Sequence, residues 1–197
     1  MAEVLLIGSG NRGKAAELAD LLAGLPWEVR CLADYAPVPE PVEDGATFEE
    51  NALKKAAYFS EKFNVACLAD DSGLEVDALG GAPGVFSARY AGPDANDKTN
   101  NAKLLTKLEG LPEDERTARF VCYAAFVRPG GQPHLEYGTA EGRIALQPRG
   151  TGGFGYDPLF VPEGHDRTFG EMDPAEKKQI SHRGRALAKM RKYLAEL

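Results

Sequence analysis

Short apolar runs alternate along this chain with longer segments in which apolar residues recur every three or four positions. At the start, the apolar run Val4–Ile7 is followed by a glycine-rich segment, residues 8–13, and then by a helical pattern from Lys14 to Leu25. A short apolar run predicts a buried strand, and the longer recurrence predicts a helix with one buried face. This alternation constrains the fold most strongly, because strands and helices that follow one another in turn form α/β layers.

Two longer segments add a hairpin. Residues 117–128 and 135–146 are rich in β-branched and aromatic side chains, and the turn-forming segment Pro129–Pro133 joins them. Further helices are predicted from Thr47, which forms a capping-box pattern with Glu50, over residues 97–108, and from about His182 onward. The expected fold class is therefore α/β, with a central mixed β-sheet flanked by helices.

A second apolar run ends in acidic residues. Residues 65–69 predict a buried strand, Asp70–Gly73 are expected to follow its end as a loop, and residues 74–76 are expected to resume the strand. Ligands of open α/β sheets lie at such strand ends. Two adjacent carboxylates there are costly unless they bind a cation or hydrogen-bond donors, and Mg²⁺ takes one or two protein carboxylates. Alternatively, Asp70–Gly73 could form an Asx-type turn that has only a structural role.

Composition limits the classes of protein that fit. The chain has 197 residues, 43% of them hydrophobic and 27% charged, which predicts one ordinary globular domain over 1–197 and excludes a disordered chain. No apolar run approaches the roughly 18 residues of a membrane span. No secretory signal is recognisable, and the three cysteines are few, odd in number and far apart, so a reduced, cytoplasmic protein is expected.

Charge is unevenly distributed. The net charge of −7 argues against a nucleic-acid partner. However, residues 34–50 contain six acidic residues and no basic one, whereas residues 174–197 contain seven basic and two acidic residues. Two solvated surfaces would explain this pattern. A site with one cation-binding end and one anion-binding end would explain it equally well, with Glu43 or Glu50 as the additional carboxylate.

Three other motifs suggest a ligand. Ser9–Lys14 combines glycines with a lysine at a helix start, which suits phosphate, although it is not a Walker A loop. Phe154–Asp157 offers an aromatic face and an acceptor for a planar base. His182 and Arg183, which follow Ser181 and have Lys177 just upstream, offer planar, directional donors for a carbonyl or a phosphate. Taken singly, each also fits a structural role: a strand-to-helix turn, a loop anchor, and a capped surface helix.

Together these motifs resemble the noncanonical purine nucleoside triphosphate pyrophosphatases, the inosine triphosphatase-like (dITP/XTP) group. The resemblance covers essentially the whole chain in family order. It rests on the segments Ser9–Lys14, Thr47–Ala52, Asp70–Leu74, Gly80–Tyr90, Gly153–Pro158 and Ser181–Arg183. One departure is Ser9, where many members have threonine.

The resemblance implies Mg²⁺-dependent hydrolysis of ITP, dITP and XTP to the monophosphate and pyrophosphate, which clears deaminated purines from the nucleotide pool. Asp71 matches the general base and a metal ligand, acting on the attacking water directly or through the metal. Glu43 is the expected second metal carboxylate, with Glu40 as the alternative. The residues matching substrate contacts are Ser9, Gly10, Asn11, Arg12, Gly13, Lys14, Ser72, Phe154, Gly155, Tyr156, Asp157, Lys177, His182 and Arg183.

The resemblance also implies an elongated fold of two lobes with the substrate in the groove between them, usually as a homodimer. For the base, donors from His182 or Arg183 would suit a 6-carbonyl, and Asp157 or a backbone carbonyl would suit N1–H. Two alternatives remain open. One is a pyrophosphatase of similar fold acting on pyrimidine or modified nucleotides, and the other is a nucleotide-binding module without catalysis.

Overall fold

The structure is a computed structural model that describes residues 2–10 and 12–197, with the backbone alone for residues 12–14 and 17. The chain divides into two compact units. Unit 1 contains the described residues of Met1–Asp71, Cys122–Gly138 and Arg185–Leu197. Unit 2 contains Ser72–Val121 and Thr139–Gly184.

The described strands form one six-stranded sheet in the order β2-β1-β3-β4-β5-β6. Strand β1 runs parallel to β2 and β3, whereas β5 runs antiparallel to β6. This confirms the predicted α/β fold with a mixed sheet. The strand bounds are β1 Glu3–Ile7, β2 Trp27–Cys31, β3 Ala66–Val76, β4 Thr117–Val127, β5 His134–Ile144 and β6 Phe160–Pro162.

The described helices are α1 Arg12–Leu22, α2 Phe48–Phe63, α3 Asp97–Lys107, α4 Pro174–Ile180 and α5 His182–Ala195. Thr47 caps α2, since its side chain accepts a hydrogen bond from the Glu50 amide at 3.1 Å. Helix α4 was not predicted because it spans only seven residues, and its start depends on the Asp173 cap and Pro174. None of these helices has the length and apolar character needed to cross a bilayer.

The core of unit 1 lies on both faces of its strands. Leu5 and Ile7 of β1 pack with residues of α1 and α5, whereas Leu6, which points the other way, packs with Phe59 of α2. Alternate residues of a strand face opposite sides, so the apolar run of β1 is buried by helices on both. The indole of Trp27 packs edge-on against Phe126 and donates a hydrogen bond to the Leu194 carbonyl at 3.1 Å.

Unit 2 has a separate core rich in aromatic side chains. Phe120 of β4 packs against Phe160 of β6 and against Phe169, with ring centroids 4.7 Å and 6.0 Å away. Leu104 and Leu108 join the same cluster. This cluster also includes residues of the segments between β5 and β6 and between β6 and α4.

One prediction about β3 is wrong. Asp70–Gly73 do not form a loop between two strands, because β3 continues unbroken from Ala66 to Val76. The segment has the composition of a turn, but β3 is hydrogen-bonded between β1 and β4, and pairing within a sheet overrides local preference. The parallel pairing with β1 ends at Leu68, so Asp70 and Asp71 lie just beyond that edge.

Candidate active site

The continuous strand separates the two adjacent carboxylates. Successive side chains of a strand point to opposite faces. Leu68 belongs to the cluster packed against α1 and α5, whereas Ala69 belongs to the cluster packed against α2. By this alternation Asp70 faces the first side, where its Oδ2 lies 3.9 Å from the Cys122 thiol, and Asp71 faces α2. Asp70 and Asp71 therefore do not act as a pair.

A lysine of α2 lies on the same side as Asp71. The ammonium of Lys55 forms a 2.7 Å ion pair with Glu43 and donates a hydrogen bond to the Asp70 carbonyl at 3.1 Å. We call Glu43, Lys55 and Asp71 the carboxylate–lysine cluster. All three residues belong to unit 1. Lys55 was not predicted as a site residue, because nothing in the sequence around it distinguishes it from the adjacent, exposed Lys54.

The pKa of Lys55 reflects these neighbours. Burial alone would lower the pKa of the ammonium, but the carboxylates of Glu43, Asp70 and Asp71 outweigh it and raise the pKa above its ordinary value. Lys55 is therefore a permanent cation at neutral pH. The two carboxylates of the carboxylate–lysine cluster exceed it by one negative charge.

The start of α2 fixes the acidic loop that carries Glu43. The Gly45 amide donates to the Asn51 side chain at 2.8 Å, and the Ala46 amide donates to the Glu50 carboxylate at 2.7 Å. Glu50 thus caps the start of α2. Of Glu43 and Glu50, Glu43 is therefore the better placed to act as the additional carboxylate of the site. The alternative, Glu40, lies against the glycine-rich segment, because a side chain on Gly10 would collide with its carboxylate.

The glycine-rich segment follows β1 directly. The Gly8 amide donates to the Leu68 carbonyl at 2.8 Å, and this bond continues the pairing of β1 with β3 into the loop. Helix α1 begins at Arg12, two residues earlier than predicted. Asn11 lies outside the described residues, as do the side chains of Arg12 and Lys14, so their expected phosphate contacts remain predictions.

The donor chemistry of the carboxylate–lysine cluster fits a hard divalent cation. Mg²⁺ takes oxygen ligands, usually one or two carboxylates, and keeps several waters or phosphate oxygens. Glu43 and Asp71 supply two carboxylates with a net excess of negative charge. No group of three or more His, Cys, Asp or Glu side chains suited to a metal occurs in the described part of the chain, so a site enclosed by protein ligands alone is absent there.

Unit 2 holds the second set of predicted site residues, centred on Asp157. This residue is 2% exposed, and its Oδ2 accepts hydrogen bonds from the Phe154 amide at 2.8 Å and from the Lys177 ammonium at 2.6 Å. Burial raises the pKa of the Asp157 carboxyl above its usual value, although Lys177, the Phe154 amide and Arg183 each oppose the rise. Asp157 therefore connects Lys177 of α4 to the segment that contains Phe154.

We call residues Gly153–Asp157 the aromatic loop. Phe154 is 38% exposed, with the Lys177 ammonium 4.9 Å and the Arg183 guanidinium 5.4 Å from the centroid of its ring. Gly153 has φ +73°, and a side chain there would collide with the Asp157 carboxylate. Two cations beside an accessible aromatic face suit a planar ligand that carries carbonyl groups.

The start of α5 places two more predicted residues. Arg183 is buried, and its guanidinium donates to the Ser72 hydroxyl at 2.9 Å. His182 is buried and stacks on Phe120, with ring centroids 4.6 Å apart and planes at 11°. Ser181 caps this helix, since its hydroxyl accepts a hydrogen bond from the Gly184 amide at 3.1 Å. Ser181 thus has the structural role of a helix cap, and it lies directly beside the predicted site residues His182 and Arg183.

A mixed α/β sheet with a glycine-rich loop before a helix and a carboxylate–lysine cluster at a strand end is typical of enzymes that act on phosphorylated substrates. Residues 5–193 match the model of the Ham1 family. The chain belongs to the Ham1 family.

Relatives in this family are similar over nearly the whole chain. A dITP/XTP pyrophosphatase of Geobacter sulfurreducens is 50% identical, with 96% of each chain covered. One of Syntrophobacter fumaroxidans is 53% identical, over 96% of this chain and 81% of the relative. The structure of a HAM1 protein from Coxiella burnetii superposes with a TM-score of 0.92 at 42% identity, covering 99% of this chain and all of the other.

Proposed function

We propose that this protein is a Mg²⁺-dependent pyrophosphatase that hydrolyses ITP, dITP and XTP to the nucleoside monophosphate and pyrophosphate, and so clears deaminated purines from the nucleotide pool. The observation that carries the proposal is the carboxylate–lysine cluster at the end of the parallel strands, in a chain about 50% identical to dITP/XTP pyrophosphatases. Its charge suits a cation-bound triphosphate rather than a bare anion.

In this proposal, residues of unit 1 act on the phosphates. Ser9, Gly10 and the residues 11–14 bind the triphosphate at the start of α1, where the helix dipole favours negative charge. Asp71 removes or orients the proton of a water that attacks the α-phosphorus, the bond to pyrophosphate breaks, and the proton leaves with the products. Lys55 pairs with Glu43 and offsets part of the negative charge of the carboxylate–lysine cluster.

Residues of unit 2 bind the base. Phe154 offers its exposed ring to the purine, and Arg183, His182 and Lys177 supply donors suited to a 6-carbonyl. Adenine has an amino group at that position, so its amino group would meet donors rather than acceptors and leave buried polar groups unsatisfied. Ser72, Tyr156 and Asp157 hold these donors and the aromatic loop in place.

Mg²⁺ would be held by Glu43 and Asp71. When bound, it supplies charge neutralisation for the triphosphate and for the developing pyrophosphate. We also propose a homodimer, as the resemblance implies, and a cytoplasmic location, as the few scattered cysteines suggest. Within the described residues no disulfide joins Cys31, Cys67 or Cys122, which suits a reducing compartment.

The test is pyrophosphate release from ITP, XTP, dITP, GTP, ATP and dTTP, with and without Mg²⁺. Faster release from ITP, XTP and dITP, lost on chelation, supports the proposal. Faster release from dTTP would favour a pyrimidine enzyme, and ITP binding without release would favour a binding module. Calorimetric titration of the protein with Mg²⁺ tests the ligands separately: Glu43→Gln should weaken binding about tenfold or more, and Glu40→Gln should not.

A further inference from the structure

The backbone of the aromatic loop is fixed by side chains of α3. The Gly155 amide donates to the Asp97 carboxylate at 2.7 Å, and the Gly155 carbonyl accepts from the Asn101 side chain at 3.0 Å. Asp97 and Asn101 are four residues apart, so they lie one above the other on the same face of the helix. Both polar groups of a single loop residue are therefore held by one turn of α3.

The residues on either side of Gly155 are also held. The Phe154 amide donates to Asp157 at 2.8 Å, and the Tyr156 hydroxyl donates to the Ser87 carbonyl at 2.7 Å. Gly155 itself has φ +61°, in the left-handed region that few other residues adopt. The aromatic loop is thus fixed on both sides of Phe154, while the Phe154 ring stays accessible.

Asn101 is not explained by stability alone. Its Oδ1 is buried and accepts no hydrogen bond from any residue that the structure describes. A buried acceptor without a partner destabilises a fold. The neighbouring Asn100 differs, because its Oδ1 accepts from the Ala91 amide at 2.8 Å and its Nδ2 donates to the Ala88 carbonyl at 3.0 Å. Asn100 serves another loop with both of its polar atoms satisfied.

We infer that Asp97 and Asn101 are positioning residues for base recognition. They hold Gly155 so that Phe154 meets the purine at a fixed height and angle. Neither residue needs to touch the substrate or the phosphates. This inference rests on the proposed function, since it takes the aromatic loop as the base-binding element.

The test compares Asp97→Ala and Asn101→Ala with two controls. Each variant should raise the KM for ITP about tenfold with little change in kcat, and should lower the preference for ITP over GTP, because the base loses its fixed support. Asp97→Asn should restore the KM to within about threefold, since its amide oxygen still accepts from Gly155. Asn100→Ala should lower the melting temperature comparably and leave the KM for ITP unchanged.

Equal effects of Asn100→Ala and Asn101→Ala on the KM for ITP would show that Asn101 has a merely structural role. Failure of Asp97→Asn to keep the KM near the wild-type value would show the same for Asp97. Either result would overturn the inference. Wild-type protein that releases no pyrophosphate from ITP would instead overturn the proposed function. The Kd for ITP, measured by calorimetry on the same variants, would then decide the positioning role by the same comparison, and absence of ITP binding to the wild type would count against it.

Discussion

Unit 1 surrounds one ammonium, that of Lys55, with carboxylates, whereas unit 2 surrounds one buried carboxylate, that of Asp157, with cationic side chains and an aromatic ring. The first arrangement has an excess of negative charge and suits a cation that carries phosphates. The second has an excess of hydrogen-bond donors and suits a planar base with carbonyl groups. The two clusters thus differ in the sign of the charge that surrounds their central group, negative around Lys55 and positive around Asp157.

Removing the proposed base should have the largest effect. Asp71→Asn keeps the size of the side chain but cannot accept a proton, so kcat for ITP should fall about 10³-fold or more. Pyrophosphate release in saturating ITP and Mg²⁺ measures this. Asp70→Asn is the matched control, because Asp70 faces the opposite side of β3 and should keep most of the activity. Equal losses in the two variants would contradict the division of roles between these neighbours.

Removing the cation of the carboxylate–lysine cluster should have the next largest effect. Lys55→Ala leaves Glu43 and Asp71 without their compensating charge, so kcat/KM should fall about 10²-fold. The free energy of unfolding without metal should fall by about 2 kcal/mol, because Lys55 is mostly buried but solvent screens its partner Glu43, whose side chain is 36% exposed. Urea unfolding and steady-state kinetics measure both.

Lys54→Ala is the control for this prediction. Lys54 pairs with Asp44 at the exposed surface, and such pairs contribute about 1 kcal/mol or less. Added Mg²⁺ should stabilise Lys55→Ala more than the wild type, since the cation then replaces the missing charge. Similar behaviour of the two variants would argue against a special role for Lys55.

A smaller effect is expected at Gly153, where the absence of a side chain leaves room for the Asp157 carboxylate. In Gly153→Ala the added methyl group collides with that carboxylate, and alanine must also adopt a positive φ. The free energy of unfolding should therefore fall by about 2–3 kcal/mol. The substitution should also raise the KM for ITP. Gly164→Ala, at φ +78° but in open space, should cost only the backbone strain, about 1 kcal/mol. Equal costs would show that the loop yields to the added methyl group.

The smallest effect concerns pH. Because the folded-state pKa of Asp157 lies above its unfolded value, the folded state holds this proton more tightly. The stability of the wild type relative to Asp157→Asn should therefore fall as pH rises from the unfolded pKa, about 4, to the raised pKa, and then stay constant. Urea unfolding of both proteins between pH 4 and 7 measures the difference. A difference that rises with pH would mean that Lys177 outweighs burial.

The sequence predicted the periodic elements well, because their signals are local. The apolar run Val4–Ile7 and the aromatic-rich segment 117–128 both became strands within a residue of the expected bounds. The continuity of β3 could not be predicted, since the composition of Asp70–Gly73 is typical of a turn. Only the pairing of β3 with its neighbours in the sheet keeps this segment extended. Lys55 was missed for the same reason: its partners Glu43 and Asp70 are distant in the sequence.

The setting of Trp27 has a practical consequence for the study of this protein. Trp27 is the only tryptophan of the chain, and its indole lies in unit 1 against Phe126 and the Leu194 carbonyl. Intrinsic tryptophan fluorescence therefore reports on the unfolding of unit 1 alone. Circular dichroism follows the backbone of both units, so a difference between the two melting curves would reveal whether unit 2 loses its structure at a separate temperature.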